Sequence, residues 1–262
     1  MLIVLSPAKT LDFSPTPRKL GLTKPVLHAE AKQLAAVAQQ LSQPEIAQLM
    51  ELSERLAETA HGYLQNWKGK WDAKGTKPAL LAFQGDVYQG LQADSLTDKQ
   101  LDLAQKRLRI LSGLYGVLRP LDLIQPYRLE MGRRLKTPRG ASLYDWWKNQ
   151  VSDSINRDLA EATPRGAEPL VVNLASNEYW SVVQPERLDA RVVTPVFKER
   201  KGEGFRIVSF FAKRARGAMA RHLLTCRQRG EAAIHAFSKE GYGLNAELSQ
   251  PGAPVFTRDS SG

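Results

Sequence analysis

Lys9, Asp86 and Glu178 each follow a short apolar run of the sequence by three or four residues. Such runs are typical of buried strands, and the carboxyl ends of parallel strands meet at one edge of a sheet. If the three strands are neighbours, a lysine able to hold phosphate or act as a nucleophile lies beside two carboxylates suited to acid–base work. The alternative interpretation is that Lys9 is an ordinary surface lysine and that Asp86 caps a turn.

Positive charge is concentrated in residues 105–140 and 206–230 of a chain whose formal net charge is +10. The first stretch holds nine basic residues against two acids, and the second holds seven against none. The rest of the chain is net acidic, so this distribution favours a surface that binds a polyanion. We expect the two stretches to fold onto one face. The alternative is a pair of solvated helix faces.

Two glycines three positions apart, Gly113 and Gly116, predict a hairpin between two helices. A helix capped by Thr97 is expected to end near Ile110 or Leu111, and a second helix to follow the glycines. Backbone N–H groups at the start of the second helix would point at phosphate, as in a helix-hairpin-helix DNA-binding element. The basic side chains around this hairpin are Arg107, Arg109 and Arg119. The alternative is a tight, closely packed connection between helices.

Several classes of protein are excluded by motifs that the sequence lacks. It contains no phosphate-binding loop of the GxxxxGK[ST] type, no GxGxxG fingerprint, no HExxH and no CxxC. We therefore predict no cofactor and no metal. The single cysteine, Cys226, rules out a disulfide framework and indicates a reducing, cytoplasmic location. No apolar stretch reaches 18 residues and the N-terminus does not read as a signal peptide, so no membrane association is expected.

Apolar runs rich in β-formers alternate with helical stretches, which favours an α+β fold. We predict one compact domain, residues 1–250, with a mixed sheet surrounded by helices, and a loose C-terminal tail over 251–262. Buried strands are predicted at Leu2–Leu5, Leu80–Phe83 and Leu170–Leu174.

Further along the chain, local signals predict a hairpin and a basic helix. Arg191–Phe197 and Phe205–Phe211 flank a glycine-containing turn, and Arg214–Arg229 is expected to be helical. Residues 29–60 have helical character, and Ser42 with Glu45 forms a capping-box signature where that stretch is broken.

Six segments of the sequence resemble the YaaA family of bacterial peroxide stress proteins. They are SPAKTL (6–11), FQGDVYQGL (83–91), LSGLYGVLRPLDLIQPYRLEMG (111–132), NLASNEY (173–179), PVF (195–197) and FFAKRARGAMAR (210–221). The resemblance implies that the protein helps cells to survive hydrogen peroxide. It would do so by keeping the concentration of unincorporated intracellular iron low, which limits Fenton damage to DNA. It also implies a single compact fold with a positively charged cleft and a helix-hairpin-helix element, and no securely attached enzyme activity.

The expected partner is duplex or branched DNA, bound through phosphates with weak sequence preference. The residues expected to bind it are Lys9, Arg107, Arg109, Gly113, Gly116, Arg119, Arg128, Lys213, Arg214, Arg216 and Arg221. Among these, the resemblance itself implies Lys9, Arg119, Arg128, Lys213, Arg214 and Arg216 as residues of the cleft.

Two other functions stay open at this point. One is an enzyme that uses Lys9, Asp86 and Glu178 on a nucleic acid or a phosphorylated small molecule. The other is a protein-interaction role that lowers iron indirectly. The sequence leaves the oligomeric state open, with a monomer preferred.

Overall fold

The computed structural model describes residues 1–16, 18, 20–71 and 75–259, and in these ranges helices surround two main sheets. The strands are β1 (Leu2–Leu5), β2 (Thr10–Leu11), β3 (Lys77–Pro78), β4 (Phe83–Gln84), β5 (Leu108–Ser112), β6 (Gly116–Leu118), β7 (Leu123–Ile124), β8 (Leu170–Leu174), β9 (Arg191–Val193), β10 (Val196–Lys201), β11 (Gly204–Arg206), β12 (Gly243–Gln250) and β13 (Ala253–Arg258). The helices are α1 (His28–Ala38), α2 (Gln43–Met50), α3 (Glu54–Asn66), α4 (Ala79–Ala82), α5 (Asp86–Leu91), α6 (Asp98–Arg107), α7 (Leu143–Trp147), α8 (Gln150–Ala162), α9 (Asn177–Trp180), α10 (Ser209–Thr225) and α11 (Gly230–His235).

The central sheet has the strand order β6-β5-β1-β8-β9. Strands β5, β1, β8 and β9 are parallel, and β6 runs antiparallel to β5, so the sheet is mixed, as predicted. Strand β1 is buried along its whole length, as expected of a parallel strand covered on both faces. We call the end where β1, β5 and β8 finish the carboxyl edge, and the end where they begin the amino edge.

The second sheet has the order β11-β10-β13-β12 and includes the end of the described chain. Strand β10 forms the predicted hairpin with β11 and pairs in parallel with β13. Residues 253–258 are therefore not the loose tail that was predicted. They form β13, which lies between β10 and β12 in this sheet, and Arg258 donates a hydrogen bond of 2.6 Å to the buried Glu199 carboxylate. The remainder of that tail, 260–262, lies outside the described residues.

The predicted helix-hairpin-helix element is wrong, because Gly113 lies in the turn of a β-hairpin and Gly116 is the first residue of its second strand. Helix α6 begins after Thr97 as expected but ends at Arg107, where β5 begins directly. Every residue of 108–118 is buried. A helix of the central layer rarely buries all of its sides, whereas a strand covered by helices on both faces does.

Both glycines of this turn are required by close packing. A Cβ on Gly113 would lie 2.2 Å from the Leu129 carbonyl oxygen. Gly116 has a φ of +70°, and a Cβ there would lie 2.8 Å from the Trp147 ring. The close packing of the alternative interpretation is therefore correct, although the turn connects two strands and not two helices, and these buried residues are not open to phosphate.

Other element boundaries also differ from the predictions. Leu80–Phe83 is not a strand, since α4 takes up most of it and β4 begins at its last residue. Arg191–Phe197 is divided between β9 and β10, because Pro195 cannot donate to a strand ladder. Phe205–Phe211 becomes helical at Ser209. The capping box of Ser42 and Glu45 is confirmed at the start of α2.

Helix α10 crosses α5 with backbone in contact with backbone. A Cβ on Gly217 would lie 1.7 Å from the Val87 carbonyl oxygen, and one on Gly90 would lie 2.1 Å from the Arg214 carbonyl oxygen. Only glycine permits such an approach. The crossing therefore fixes the basic helix α10 against the short helix α5, which follows β4. None of the helices described is long and apolar enough to cross a membrane.

Candidate functional site

The loops that leave β1 and β8 are joined at the carboxyl edge by two serines. The Ser176 backbone N–H donates to Ser6 Oγ over 2.8 Å, and the two hydroxyl oxygens lie 3.2 Å apart. The buried Tyr88 hydroxyl donates to the Ser6 carbonyl oxygen over 3.0 Å. Because β1 and β8 are parallel neighbours, the polar residues after each strand come together here, as the sequence predicted.

Residues 127–133, which we call the strap, pass over this edge. The hydroxyls of Tyr127 and Ser112 lie 2.7 Å apart at the end of β5. The strap backbone at Leu129 packs against Gly113, and the Gly132 N–H donates to Glu178 Oε1 over 3.0 Å. The strap therefore connects the ends of β5 and β8 with the loop after β1.

The strap places one buried carboxylate, Glu130, among three cations. Its Oε1 lies 3.1 Å from Lys9 Nζ and 3.3 Å from Arg128 Nη2, and its Oε2 lies 2.7 Å from Arg133 Nη2. Arg133 also reaches Glu51 over 3.0 Å. This group of four residues, the Glu130 cluster, has more positive than negative charge of its own.

Glu130 holds its charge at neutral pH. Burial by itself raises the pKa of this carboxyl, but hydrogen bonds from Arg133 and Lys9 and their charges outweigh burial and lower the pKa below 4.5. A carboxylate with a lowered pKa is a poor general acid or base near pH 7. Glu130 is therefore suited to holding cations in place.

Two cations of the Glu130 cluster have hydrogen-bonding capacity left. The Lys9 side chain is 63% exposed although one of its protons faces Glu130. Arg128 Nε is buried and has no hydrogen-bond partner within the described ranges. A cavity of about 20 Å³ lies between Lys9, Arg128, Tyr127 and Tyr179, which is room for about one water. An anion must therefore approach from the exposed Lys9 side.

Three tyrosines at the carboxyl edge, of which Tyr127 and Tyr179 line this cavity, are kept protonated by burial. Burial raises the pKa of Tyr88, Tyr127 and Tyr179 above the usual value of 10.0. Their hydroxyls are hydrogen-bond donors at neutral pH, and Tyr88 uses its own to fix the loop after β1.

The three candidate catalytic residues are brought together only in part. Lys9 and Glu178 both contact the strap, at Glu130 and at Gly132. The acid that Lys9 reaches is thus Glu130, which the sequence reasoning missed. Asp86 is the first residue of α5, and its side chain has no ion pair or hydrogen bond with any described residue.

Several of the basic residues expected to contact DNA have structural partners instead. Arg109 is buried against Asp158, Arg119 pairs with the buried Asp122 over 3.3 Å, and Arg214 pairs with Glu240 over 2.9 Å. Arg221 donates to the carbonyl oxygens of Leu91, the last residue of α5, and of Gln92, and Arg107 lies at the amino edge beside Met1. The expected set does not share one face.

Lys213 and Arg216, both on α10, have no acidic partner among the residues described. Lys213 is exposed, whereas burial lowers the pKa of the half-buried Arg216. Contacts lead from these residues to the carboxyl edge: Lys213 stands one turn before Gly217, whose backbone meets α5 at Val87. The residue before α5, Gly85, lies beside Ala8 in the loop that carries Lys9.

No group of three or more histidine, cysteine, aspartate or glutamate side chains is arranged for a metal ion in the part of the chain that the structure describes.

Comparison with known proteins gives matches along nearly the whole chain. Residues 1–248 match the family described as peroxide stress protein YaaA. The chain is 50% identical over 262 residues to a UPF0246 protein of Ruegeria pomeroyi, with 100% of both chains covered. It is 45% identical over 260 residues to a UPF0246 protein of Shewanella sp. (strain MR-4), covering 99% of this chain and 100% of the relative. A UPF0246 protein of Idiomarina loihiensis is 45% identical over 258 residues, with 98% of each chain covered.

Proposed function

Since the chain belongs to the family of the peroxide stress protein YaaA, we propose that it binds DNA during peroxide stress and so limits iron-mediated DNA damage. The bound form is double-stranded or branched DNA, held by its phosphates with little sequence preference. The contact surface is the carboxyl edge of the central sheet, extended by α10.

The observation that carries this proposal is the Glu130 cluster with its exposed lysine. Lys9 is oriented by Glu130 yet keeps donors free for an incoming phosphate oxygen. The strap and the residues just after it, 127–139, hold five basic residues and one acid. Phosphate contacts of this kind supply affinity that does not depend on sequence.

Helix α10 supports the same proposal because it carries cations that folding leaves without a counter-charge. Lys213 and Arg216 have no carboxylate within ion-pair distance in the described structure, and Arg216 remains so despite being half-buried. Burying an unpaired guanidinium costs free energy, which a bound phosphate would offset.

The experiment is fluorescence anisotropy of a labelled DNA duplex over a series of salt concentrations. Lys9→Gln removes one phosphate contact, so the log–log salt slope is expected to lose about 0.9 in magnitude. The matched control is Lys106→Gln, which removes an exposed lysine at the C-terminal end of α6, near the amino edge. Equal losses in both variants, or wild-type binding that ignores salt, would count against this surface.

A second candidate function is an enzyme at the same edge, acting on a nucleic acid or a phosphorylated small molecule. It is favoured by the strap, because Lys9 contacts Glu130 and Glu178 contacts Gly132, which is only two residues further along the same segment. If the substrate is a nucleic acid, labelled DNA incubated with the protein would be converted to a product over time. Glu178→Gln would stop this conversion, and the control variant Glu51→Gln would not. DNA that is bound and stays unchanged favours the first proposal.

A further inference from the structure

A second cavity, of about 530 Å³, opens at the amino edge of the central sheet. Its volume is within the range of sites for small organic ligands. Apolar side chains line it together with three arginines, Arg107, Arg191 and Arg229, and two glutamates, Glu168 and Glu231. The cavity is separate from the carboxyl edge, because it lies where the parallel strands begin.

Two of these arginines have no carboxylate partner among the described residues. Arg107 donates to the Met1 carbonyl oxygen over 3.4 Å and to the Met1 thioether over 3.2 Å, and both are weak contacts. Arg229 uses only Nη1, on the carbonyl oxygens of Cys226 and Gln228. Each guanidinium has five N–H donors, so most of this capacity is unused.

Folding alone disfavours the position of the half-buried Arg107, which lies beside the exposed Arg229. Burial lowers the pKa of Arg107, and the nearby charge of Arg229 lowers it further. The third arginine shows the usual solution, since Arg191 pairs with Glu231 over 2.8 Å and with Glu168 over 3.3 Å. Arg107 and Arg229 have no such acid and stand close enough to repel each other.

A third polar group at this cavity also lacks a partner. Thr163 is one of the lining residues, and its Oγ1 is buried without a hydrogen bond to any described residue. A buried hydroxyl without a partner costs free energy. A ligand that brings acceptor oxygens would satisfy this group and the two guanidinium groups.

We propose that the amino-edge cavity is a binding site for an organic oxyanion, a phosphate or carboxylate group on a small apolar body. The oxyanion lies between Arg107 and Arg229, whose planar donor groups match its oxygens. The apolar body packs against Leu103, Ala162 and Leu170. This site is additional to the DNA-binding surface and does not depend on it.

The test is calorimetric titration with phenyl phosphate and, separately, with phenylacetate. The wild type is expected to bind at least one of them, and Arg229→Gln to weaken that binding about tenfold or more, because a charge-assisted pair is lost. Arg206→Gln is the control, since it removes the same charge from an exposed position on β11. The preferred anion identifies the oxyanion as phosphate or carboxylate.

A measurement on the wild type alone avoids any dependence on how variants fold. Phenylglyoxal modifies accessible arginines, and mass spectrometry of peptides gives the rate at each site. Phenyl phosphate or phenylacetate should slow modification of Arg229 and leave Arg206 unchanged. No heat of binding with either probe, or equal weakening by Arg206→Gln, or no protection of Arg229, would overturn the proposal.

Discussion

The two edges of the central sheet use arginine in opposite ways. At the carboxyl edge, Arg128 and Arg133 point at the buried Glu130, and the cavity that Arg128 lines has a volume of only about 20 Å³. At the amino edge, Arg107 and Arg229 face a cavity of about 530 Å³ and pair with no described carboxylate, since the two glutamates that line the cavity, Glu168 and Glu231, pair with Arg191. A count of basic residues does not separate these cases. The partner of each cation decides whether it serves the fold or is free for a ligand.

The largest expected effect that sharpens this comparison is the loss of Glu130. Glu130→Gln leaves three cations without their shared carboxylate, and should lower the free energy of unfolding by about 3 kcal/mol. The matched change at the amino edge is Glu231→Gln, which removes a partly exposed partner of Arg191 and should cost about 1 kcal/mol or less. Urea unfolding of both variants gives the comparison. Equal costs would mean that the Glu130 cluster is no more than a surface ion pair.

The next effect concerns the crossing that fixes α10 beside α5. Gly217→Ala places a Cβ on the Val87 carbonyl, so the helices must separate, at a cost of about 2–3 kcal/mol. Gly62→Ala in α3 is the control, because open space surrounds that position and alanine should stabilise the helix by about 0.5–1 kcal/mol. Thermal unfolding distinguishes them. A harmless Gly217→Ala would contradict the close crossing.

A smaller effect is the response of stability to acid. Because the pKa of Glu130 is lowered in the folded protein, its charge stabilises the fold above about pH 4.5, and this contribution is lost as the pH falls through the folded pKa. The wild type should therefore lose free energy of unfolding more steeply than Glu130→Gln below that pH. If the free energy of unfolding, measured with urea, fell equally with pH in the wild type and in Glu130→Gln, the surrounding cations would not be lowering the pKa of Glu130.

The smallest expected effect on stability is that of Lys9→Ala. Its side chain is 63% exposed, so the melting temperature should fall by no more than about 2–3 °C. If Lys9 contacts phosphate, the survival of cells exposed to hydrogen peroxide should fall strongly despite this small change in stability. Intact protection together with an unchanged melting temperature would leave Lys9 without a functional role.

Much of the fold could be predicted from the sequence, because local patterns determine it. The apolar runs at β1 and β8 predicted buried strands, and because these strands are parallel neighbours, their carboxyl ends meet. The glycine pair 113 and 116 was misleading, because a positive φ and close packing suit a β-turn as well as a helical hairpin. Only the burial of every residue around the pair, a property of the folded molecule, distinguishes these structures.

The site was less predictable, since its key contacts join distant segments. The sequence suggested that Arg109 contacts DNA. In the folded protein its side chain is buried against Asp158, which lies 49 positions away in the sequence. Glu130 was one of only two acids in a basic stretch, which is the one signal that marked it. Its role depends on the strap crossing the sheet, and no spacing in the sequence gives that path.

The most direct test of the DNA-binding proposal is the salt dependence of duplex binding in two triple variants. One replaces Lys9, Lys213 and Arg216 with glutamine at the proposed surface. The other replaces Lys106, Arg206 and Arg227, which are exposed and have no ion-pair partner in the described ranges. The first should reduce the magnitude of the log–log slope by about 2.7, three phosphates at about 0.9 each, and the second by less than about 0.5. Equal reductions in the two variants would contradict a DNA surface at the carboxyl edge.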